Sequence, residues 1–467
     1  MPNNPSSELN LRDIQGFILR GYHMQSVRHF VLRINETDAA KRLLAKSAEQ
    51  SADLPSVTSA EPWPCGKPDY CLNIGITYNG LKRLVDTSGM QFPGYNFDQG
   101  REAFPAGAAA AADWNGDTDD SAPDKWQGGL GTEDAHVVFS LFAMAETELE
   151  KQTGILKKAF AAESAFDLLH VFDGRAFPDD KIHFGFKDGI SQPQIEGGPA
   201  KKLADGQLTA QSWQFVLQQV DQSIPGNSDC TYTIETDKQK ALLLNGSFAA
   251  LRVLKQDVAA FDKYLNDNAE KIDPDTLAAK MCGRWRNGNP LVLDPDNQTD
   301  VPADQINNFE YKNADPDGER CPFSSHLRRA NPRNEKIRGS TDGRGVRNHR
   351  IVRRGMPYGP EYTPGDPDDG VERGLLGMFI CADLANQFEF IMKDWLRSAG
   401  FGGATPQGKD PLLGDNKTAD SNFQVPQSGG ATLEFKGFPR FIQTRGSAYL
   451  LLPSLTALKY IGTADKP

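Results

Sequence analysis

The sequence predicts an α+β protein made of two similar halves. Runs of alternating or continuous apolar residues, typical of β-strands, are each followed by a helical pattern, first in the amino-terminal half and again in the carboxyl-terminal half. The chain has 467 residues, whereas a single hydrophobic core stops growing at roughly 250 to 300 residues. We therefore expect two modules, each with an antiparallel sheet covered on one face by helices.

The same elements occur in both halves. HFVLRIN, CLNIGITYN, HVVFSLFAM and FDLLHVFDG are the predicted strands of the first half, and helical patterns follow the first three. GSFAALRVL, GLLGMFICAD and SAYLLLPS are those of the second half, with helices predicted in KQDVAAFDKYLNDNAEKI, in LANQFEFIMKDWLRSAG and at the carboxyl terminus. Both periodicities break at KKLADGQLTAQ, so we place the boundary near residue 205 and expect modules over residues 1–205 and 206–467.

Composition and charge argue against several classes of protein. The chain is 38% hydrophobic and 24% charged, as in ordinary globular proteins. No stretch approaches the roughly 20 apolar residues that span a bilayer, and the start, MPNNPSSELNLRDIQGF, lacks the basic and apolar regions of a secretory signal. We therefore expect a cytoplasmic protein with no membrane partner. The net charge of −11 argues against a protein that coats nucleic acid.

The six cysteines are scattered along the chain, and neither CxxC nor CxxCH occurs. This pattern argues against a disulfide framework, a zinc ribbon and covalently attached c-type haem. We expect six free thiols, and any haem must be held without a covalent bond.

Long irregular insertions, at about 88–133, 283–370 and 400–435, are where we expect function, because such segments in compact domains are commonly sites or lids. Flexible surface is an equally good interpretation of the first and the third. In the second, ten basic residues against two acidic ones lie between His326 and Arg354. We expect an anionic group beside them, and binding of RNA or phosphate is the alternative.

Two glycines flank a carboxylate in GFKDGISQP, where Asp188 lies between Gly185 and Gly189. Glycines allow a tight turn or a close approach to a planar ligand. An Asp-Gly turn without function is the commoner explanation of such a segment. The neighbouring Phe184 and Phe186 favour an apolar pocket with one carboxylate in it, which suits an acid–base catalyst.

The segment CPFSSHLRRANPR places His326 beside three arginines. A lone histidine is most often an ordinary core or surface residue. Haem needs a nitrogen ligand, apolar walls and cations near its two propionates, and this segment supplies the first and the third. Farther along, IVRRGMPYGPEY has paired arginines before a predicted turn at Pro357 and Gly359, although a strand with exposed arginines fits it as well.

Taken together, GFKDG, CPFSSHLRRANPR, RRGMPYG and the QFEFI helix resemble the dye-decolourising peroxidase family, over nearly the whole chain. The DIQGFILRGY opening, GRWRNGNPL and the long insertions resemble its larger members. The resemblance implies two ferredoxin-like modules with antiparallel sheets, and non-covalent haem b in the carboxyl-terminal module near the interface. It also implies an enzyme that reduces hydrogen peroxide and oxidises dyes, phenols or other one-electron donors.

The resemblance implies roles for individual residues. Asp188 is the distal acid, and His326 is the axial ligand of the iron. The distal arginine maps to Arg353, because it stands four residues before the proline of the MPYG turn. An acid behind the axial histidine maps to Glu389, with Asp383 as its competitor. The implied haem contacts are Gly189, Ile190, Ser191, His326, Asn331, Pro332, Arg333, Arg353 and Glu389.

Peroxide cleavage needs a group that moves a proton between the two oxygens, and a cation for the developing negative charge. Asp188 and Arg353 suit those two roles. Bulky reductants would need a surface aromatic residue as a relay, although simple packing is the commoner role of each candidate: Trp114, Trp126, Trp285, Tyr358 and Tyr362. A haem carrier or sensor without turnover is the alternative function, and it has no use for an acid–arginine pair above the metal.

Overall fold

The computed structural model describes residues 9–199, 209–223, 227–335, 337, 344–401 and 408–464. The expected module boundary at residue 205 lies outside these ranges. The strands are β1 Ser26–Ile34, β2 Tyr70–Ile76, β3 Tyr95–Asn96, β4 Arg101–Glu102, β5 Val137–Ala143, β6 Phe166–Arg175, β7 Ser247–Gln256, β8 Val352–Tyr358, β9 Gly374–Cys381, β10 Asn422–Pro426, β11 Thr432–Lys436 and β12 Ile442–Leu452.

Most helices follow a strand directly, as the periodicity predicts. The α-helices are α1 Gly16–Leu19, α2 Thr37–Ser47, α3 Tyr78–Leu84, α4 Ala103–Ala110, α5 Ala112–Asn115, α6 Glu146–Ala161, α7 Asp237–Leu243, α8 Val258–Asp267, α9 Pro274–Cys282, α10 His326–Ala330, α11 Arg344–Arg347 and α12 Leu455–Thr463. The predicted helix after β9 consists of two π-helical segments, Leu384–Glu389 and Ile391–Leu396.

Eight strands form one antiparallel sheet in the order β6-β1-β5-β2-β12-β7-β9-β8. In each half the fourth strand lies beside the first, and the third and second strands follow, which is the ferredoxin-like arrangement. The halves meet through β2 and β12, where Ile76 pairs with Leu451. The two predicted modules are therefore confirmed, and their sheets join edge to edge.

Strand alternation gives the sheet two buried faces. On β7, Phe248 and Ala250 enter the core on one face, whereas Ala249 and Leu251 enter the core on the other. Helices α2, α3, α6 and α12 cover the first face, and the amino-terminal segment around Phe17 covers the second. A sheet that is buried on both sides explains why several predicted strands are continuously apolar.

The RRGMPYG segment forms the edge strand β8, which pairs with β9 alone. Pro357 lies inside this strand and not in the predicted turn, which is possible because an edge strand leaves one row of N–H groups unpaired. Gly359, with φ +80°, follows directly.

All six cysteines are free, as predicted. In the ranges given above, no helix is long and apolar enough to cross a membrane.

Candidate active site

A cavity that is partly open to solvent lies against the sheet of the carboxyl-terminal half. Alternate residues of three strands line it, because alternate side chains of a strand point to the same face. These residues are Arg252, Leu254 and Gln256 of β7, Leu375, Gly377 and Phe379 of β9, and Arg353 and Gly355 of β8. Arg354, between the last two, also borders the cavity, although its side chain donates to the Phe17 carbonyl on the other face. Other lining residues come from the GFKDG loop, from α10 and from the turn after Asp410, and they include Asp188, His326 and Leu412.

His326 begins α10 and lines the cavity. Its Nδ1 lies 2.7 Å from Oδ2 of Asp410, a fully buried carboxylate. Since this bond occupies Nδ1, Nε2 is the ring nitrogen available to a ligand. A histidine with one nitrogen held by a carboxylate has a fixed tautomer and ring orientation, as metal-binding histidines typically do.

The turn that holds Asp410 also builds part of the cavity wall. Oδ1 of Asp410 accepts hydrogen bonds from the backbone N–H groups of Leu412 (2.7 Å) and Leu413 (2.9 Å), and both leucines line the cavity. With His326 as the third donor, the carboxylate is satisfied although it is buried, as a buried charge requires.

Asp188 and Arg353 meet at the same cavity. Nη1 of Arg353 lies 3.9 Å from Oδ1 of Asp188, and both side chains are between a third and two-fifths exposed. Nη2 of Arg353 donates to the Ser191 carbonyl at 3.2 Å, and its backbone N–H donates to Oε1 of Gln192 at 3.1 Å. The arginine is therefore anchored to the loop that carries the acid.

Strand alternation separates the two neighbouring arginines of β8. Val352 and Met356 belong to the core on the far face of the sheet, and Arg354 donates there to the Phe17 carbonyl at 2.8 Å. Arg353 points to the cavity face, so the residue nearest to Asp188 is the one that the family resemblance implied.

The loop after Asp188 is braced by a network of hydrogen bonds through Asn307. The side-chain amide of Asn307 donates to the Ile190 carbonyl at 2.7 Å, and Arg284 donates to Oδ1 of Asn307 at 2.8 Å. Arg333 donates to the backbone carbonyl of Asn307 at 2.9 Å. Arg333 thus acts on the Ile190 loop through Asn307.

The lining residues fit a planar iron porphyrin. Gly355 and Gly377 lie opposite each other on β8 and β9, so the sheet presents bare backbone beside Arg353. The side-chain amide atoms of Gln256 are buried without a hydrogen-bond partner among the described residues, as is Oδ1 of Asn331, and both residues line the cavity. Buried polar atoms of this kind call for a polar group of a ligand or for water.

Two sulfur-containing side chains that can bind iron, Cys282 and Met392, also line the cavity. Burial raises the pKa of the Cys282 thiol to about 12. The thiolate is the form that binds metal, so at neutral pH His326 is a better donor than Cys282.

Comparison with known proteins agrees with this geometry. No family model matches the chain. The sequence is 32% identical over 486 residues to Peroxidase 2 of Mycetinis scorodonius, covering 97% of this chain and 87% of that protein. It is 29% identical over 477 residues to the dye-decolorizing peroxidase of Exidia glandulosa, with the same coverage of both chains.

The chain belongs to the dye-decolourising peroxidase family. A solved structure of a dye-decolorizing peroxidase in complex with 2,6-dimethoxyphenol aligns with a TM-score of 0.80 and 26% identity, covering 97% of this chain and all of that one. The chain is thus a haem-dependent peroxidase that uses hydrogen peroxide to oxidise dyes and phenols, and its ferredoxin-like fold is confirmed.

In this dye-decolourising peroxidase the acid hydrogen-bonded to His326 is Asp410, and the prediction of Glu389 for that place is wrong. Glu389 accepts hydrogen bonds from Asn96 (2.8 Å), Arg101 (3.2 Å) and Tyr449 (3.0 Å). Its neighbour Phe388 lines the cavity, and successive helical side chains point in different directions, so Glu389 faces a separate buried cluster.

Asp383, the competitor, is wrong for the same role. Its carboxylate accepts from the backbone N–H of Asn386 at 2.8 Å and from the side-chain amide of Asn386 at 2.7 Å. The hydroxyl of Thr231 is a further donor. Asp383 therefore caps the first π-helical segment and does not contact His326.

The implied haem contacts divide into two groups. Ile190, Ser191, His326, Asn331 and Arg353 line the cavity, whereas Gly189, Pro332, Arg333 and Glu389 are not among its lining residues. Gly189 lines an adjoining cavity that shares Asp188 and Arg353 with the first. None of the five relay candidates lines the main cavity, and Trp285 and Tyr362 are buried.

Two residues of the arginine-rich segment, Arg328 and Arg329, have structural roles. Arg328 is fully buried and forms ion pairs with Asp315 (3.0 Å) and Glu335 (2.6 Å). Arg329 donates to the carbonyls of Trp395 (2.6 Å) and Gly408 (2.6 Å). The expected anionic partners of these two residues are therefore the protein's own carboxylates and carbonyls. Arg338 and the Arg344 side chain lie outside the described residues.

Sequence reasoning missed Asp410, Gln256 and Arg252. Asp410 lies in GKDPLLGDN, inside the insertion for which flexible surface had equal weight. An Asp followed two and three residues later by apolar residues is consistent with the observed turn, but nothing in that segment indicates a contact with His326. The alternation of β7 would have placed Arg252 and Gln256 on one face without naming that face.

Proposed function

We propose that the chain binds haem b non-covalently, that Nε2 of His326 would hold its iron, and that Asp188 and Arg353 would act on peroxide in the same cavity. One observation carries the proposal: a single cavity is lined both by a histidine held by a buried carboxylate and by an acid–arginine pair. When bound, haem supplies the iron at which peroxide is reduced and from which oxidising equivalents pass to the reductant.

Asp410 orients His326 and stabilises positive charge on its ring. The carboxylate accepts a hydrogen bond from Nδ1–H at 2.7 Å and also accepts hydrogen bonds from two backbone N–H groups. This arrangement makes Nε2 a stronger electron donor than the nitrogen of a histidine that faces water. It favours cleavage of peroxide over reversible binding of a small molecule.

Asp188 moves the proton and Arg353 supplies the charge. A carboxyl oxygen of Asp188 accepts a proton from one oxygen of hydrogen peroxide and returns it to the other oxygen, which leaves as water. The guanidinium of Arg353, 3.9 Å from Asp188, stabilises the negative charge that develops as the bond breaks. Both side chains are partly exposed, so a small substrate can reach them.

We propose small phenols and dyes as the reductants. A related peroxidase has been solved with 2,6-dimethoxyphenol. The adjoining cavity shares Asp188, Arg353 and Gly355 with the main one, and aromatic residues including Phe17, Tyr22 and Phe142 line it. Apolar and aromatic walls with a few convergent polar groups are typical of sites for such ligands.

The decisive experiment is stopped-flow absorbance of haem-loaded protein mixed with stoichiometric hydrogen peroxide. The wild type should lose Soret intensity rapidly, and Asp188→Ala and Arg353→Leu should react about 10²-fold to 10⁴-fold more slowly while keeping haem. Asp179→Ala, in the same region but exposed, is the matched control and should react like the wild type.

Two outcomes would contradict the proposal. An unreactive wild type would favour a haem carrier or sensor, and normal rates in both variants would remove Asp188 and Arg353 from the mechanism. Extraction with acidified butanone tests the non-covalent attachment, since haem b should leave the protein completely. The cytoplasmic location stays a proposal, and fractionation of the source cells tests it.

A further inference from the structure

Arg252 and Asp117 form a buried ion pair beside the cavity. Nη1 and Nη2 of Arg252 lie 2.6 and 2.7 Å from the two carboxylate oxygens of Asp117. Both side chains are 3% exposed. The hydroxyl of Thr444 bridges them, accepting from Arg252 and donating to Asp117, each at 2.6 Å. The two charges therefore neutralise each other with little screening by water.

The two partners belong to different halves of the molecule. Arg252 lies on β7, on the same sheet face as Arg353, and lines the cavity. Asp117 follows α5 in the amino-terminal insertion and is not among the lining residues. Gly116 before it has φ +82°, and a Cβ there would lie 2.6 Å from the Arg397 side chain. The backbone that presents Asp117 is thus fixed by a position that only glycine fills.

We propose that Asp117 is a positioning residue for the haem site, which neutralises Arg252 at the cavity wall and thereby keeps the ferric form of the cofactor favoured. This inference rests on the proposed function, because it requires haem in the cavity. Ferric haem carries one more positive charge than ferrous haem, so an unpaired guanidinium in the wall would stabilise the reduced state. Peroxide reacts with the ferric enzyme, so the ion pair maintains the reactive form.

The test is spectroelectrochemical titration of the haem-loaded enzyme. In Asp117→Asn the ferrous-to-ferric ratio at a fixed potential should rise about tenfold, which corresponds to about 59 mV for a one-electron couple. Arg252→Gln leaves the carboxylate unpaired and should shift the ratio in the opposite direction. The double variant Asp117→Asn with Arg252→Met carries neither charge, so its midpoint potential should lie close to that of the wild type.

Thr444→Val is the matched control. It removes a hydrogen bond from the same cluster but no charge, so it should lower the unfolding midpoint without moving the potential. If Asp117→Asn does not fold, the other two variants still test the inference. The ferrous-to-ferric ratio should fall below that of the wild type in Arg252→Gln and should return close to the wild-type value in the double variant.

If the haem midpoint potentials of all four variants equalled that of the wild type, the inference would be overturned, and the ion pair would be a purely structural contact. A shift of the same sign in both single variants would overturn it as well, since a charge effect must change sign with the charge. Failure of the proposed function gives a different result, because the wild type would then bind no haem or would not react with peroxide, whatever the potentials of the variants.

Discussion

The two halves have the same strand order, yet one buries a packed core where the other holds a cavity. On β1, the first strand of the amino-terminal half, Phe30 and Leu32 are fully buried beneath helices. On β7, the first strand of the second half, Arg252, Leu254 and Gln256 line the active-site cavity. The same place in the fold therefore serves stability in one module and chemistry in the other.

The connections between strands account for the difference. β1 reaches β2 through residues 35–69, which include the covering helix α2, whereas β7 reaches β8 through residues 257–351, which carry His326. The connection from β9 to β12 carries Asp410. In the first half α2 packs directly against the sheet, whereas the long connections of the second half leave a cavity against its sheet and supply the residues of the site. A duplicated fold thus gains function where its loops are longest.

The largest expected effect comes from removing the ligand. His326→Ala should lower the haem-to-protein ratio at least about tenfold, since the metal–ligand bond is lost, and added imidazole should restore part of it. His349→Phe, at a half-buried histidine that does not line the cavity, should keep full haem content. Soret absorbance against protein concentration measures both. A haem-replete His326→Ala protein would mean that another side chain ligates the iron.

Asp410 and Glu389 are both buried carboxylates, but we expect only Asp410 to affect the reaction with peroxide. Asp410→Asn should slow the reaction with peroxide by about 10-fold to 100-fold, because His326 loses its charged partner. Glu389→Gln should leave that rate unchanged but cost up to about 3 kcal/mol of folding stability, since Arg101 loses its partner. Stopped-flow rates and urea unfolding distinguish the two. Slow peroxide reaction in Glu389→Gln alone would restore the original assignment.

Equivalent truncations in the two modules should differ in cost. Phe30→Ala leaves a void in a packed core and should cost about 3–5 kcal/mol. Leu254→Ala borders a cavity that already exists, so in haem-free protein it should cost only the lost burial, about 2 kcal/mol or less. Urea unfolding of the haem-free proteins tests this, and equal costs would show that the cavity closes without haem.

The smallest effect concerns a buried histidine of the first module. His29 on β1 bonds Ser140 at 2.8 Å, and burial lowers its pKa to about 4. Below pH 6.5 His29 is protonated in the unfolded chain, but in the folded chain it stays neutral until about pH 4. The free energy of unfolding therefore decreases as the pH falls from 6.5 to 4, and at pH 5 the loss is about 2 kcal/mol. His29→Gln should remove that loss, as urea midpoints at pH 7 and pH 5 would show; an unchanged pH slope would mean that His29 is not the titrating group.

By itself the sequence determined the two α+β halves and the central residues of the site. Apolar periodicity is a local property, so the strands and their following helices appear where the patterns predict them. Asp188, His326 and Arg353 stand in short segments that resemble motifs of the family, and the structure brings them to one cavity.

Only the tertiary structure decided which carboxylates pair with His326 and Arg252. Asp410 lies 84 residues from His326, and Asp117 lies 135 residues from Arg252. No local pattern encodes such pairs, because a hydrogen bond between distant segments depends on how the insertions pack on the sheet. Glu389 was expected from the family resemblance, and the direction of its side chain excluded it. The role of a buried carboxylate follows from the groups that donate hydrogen bonds to it, and only the fold determines which groups those are.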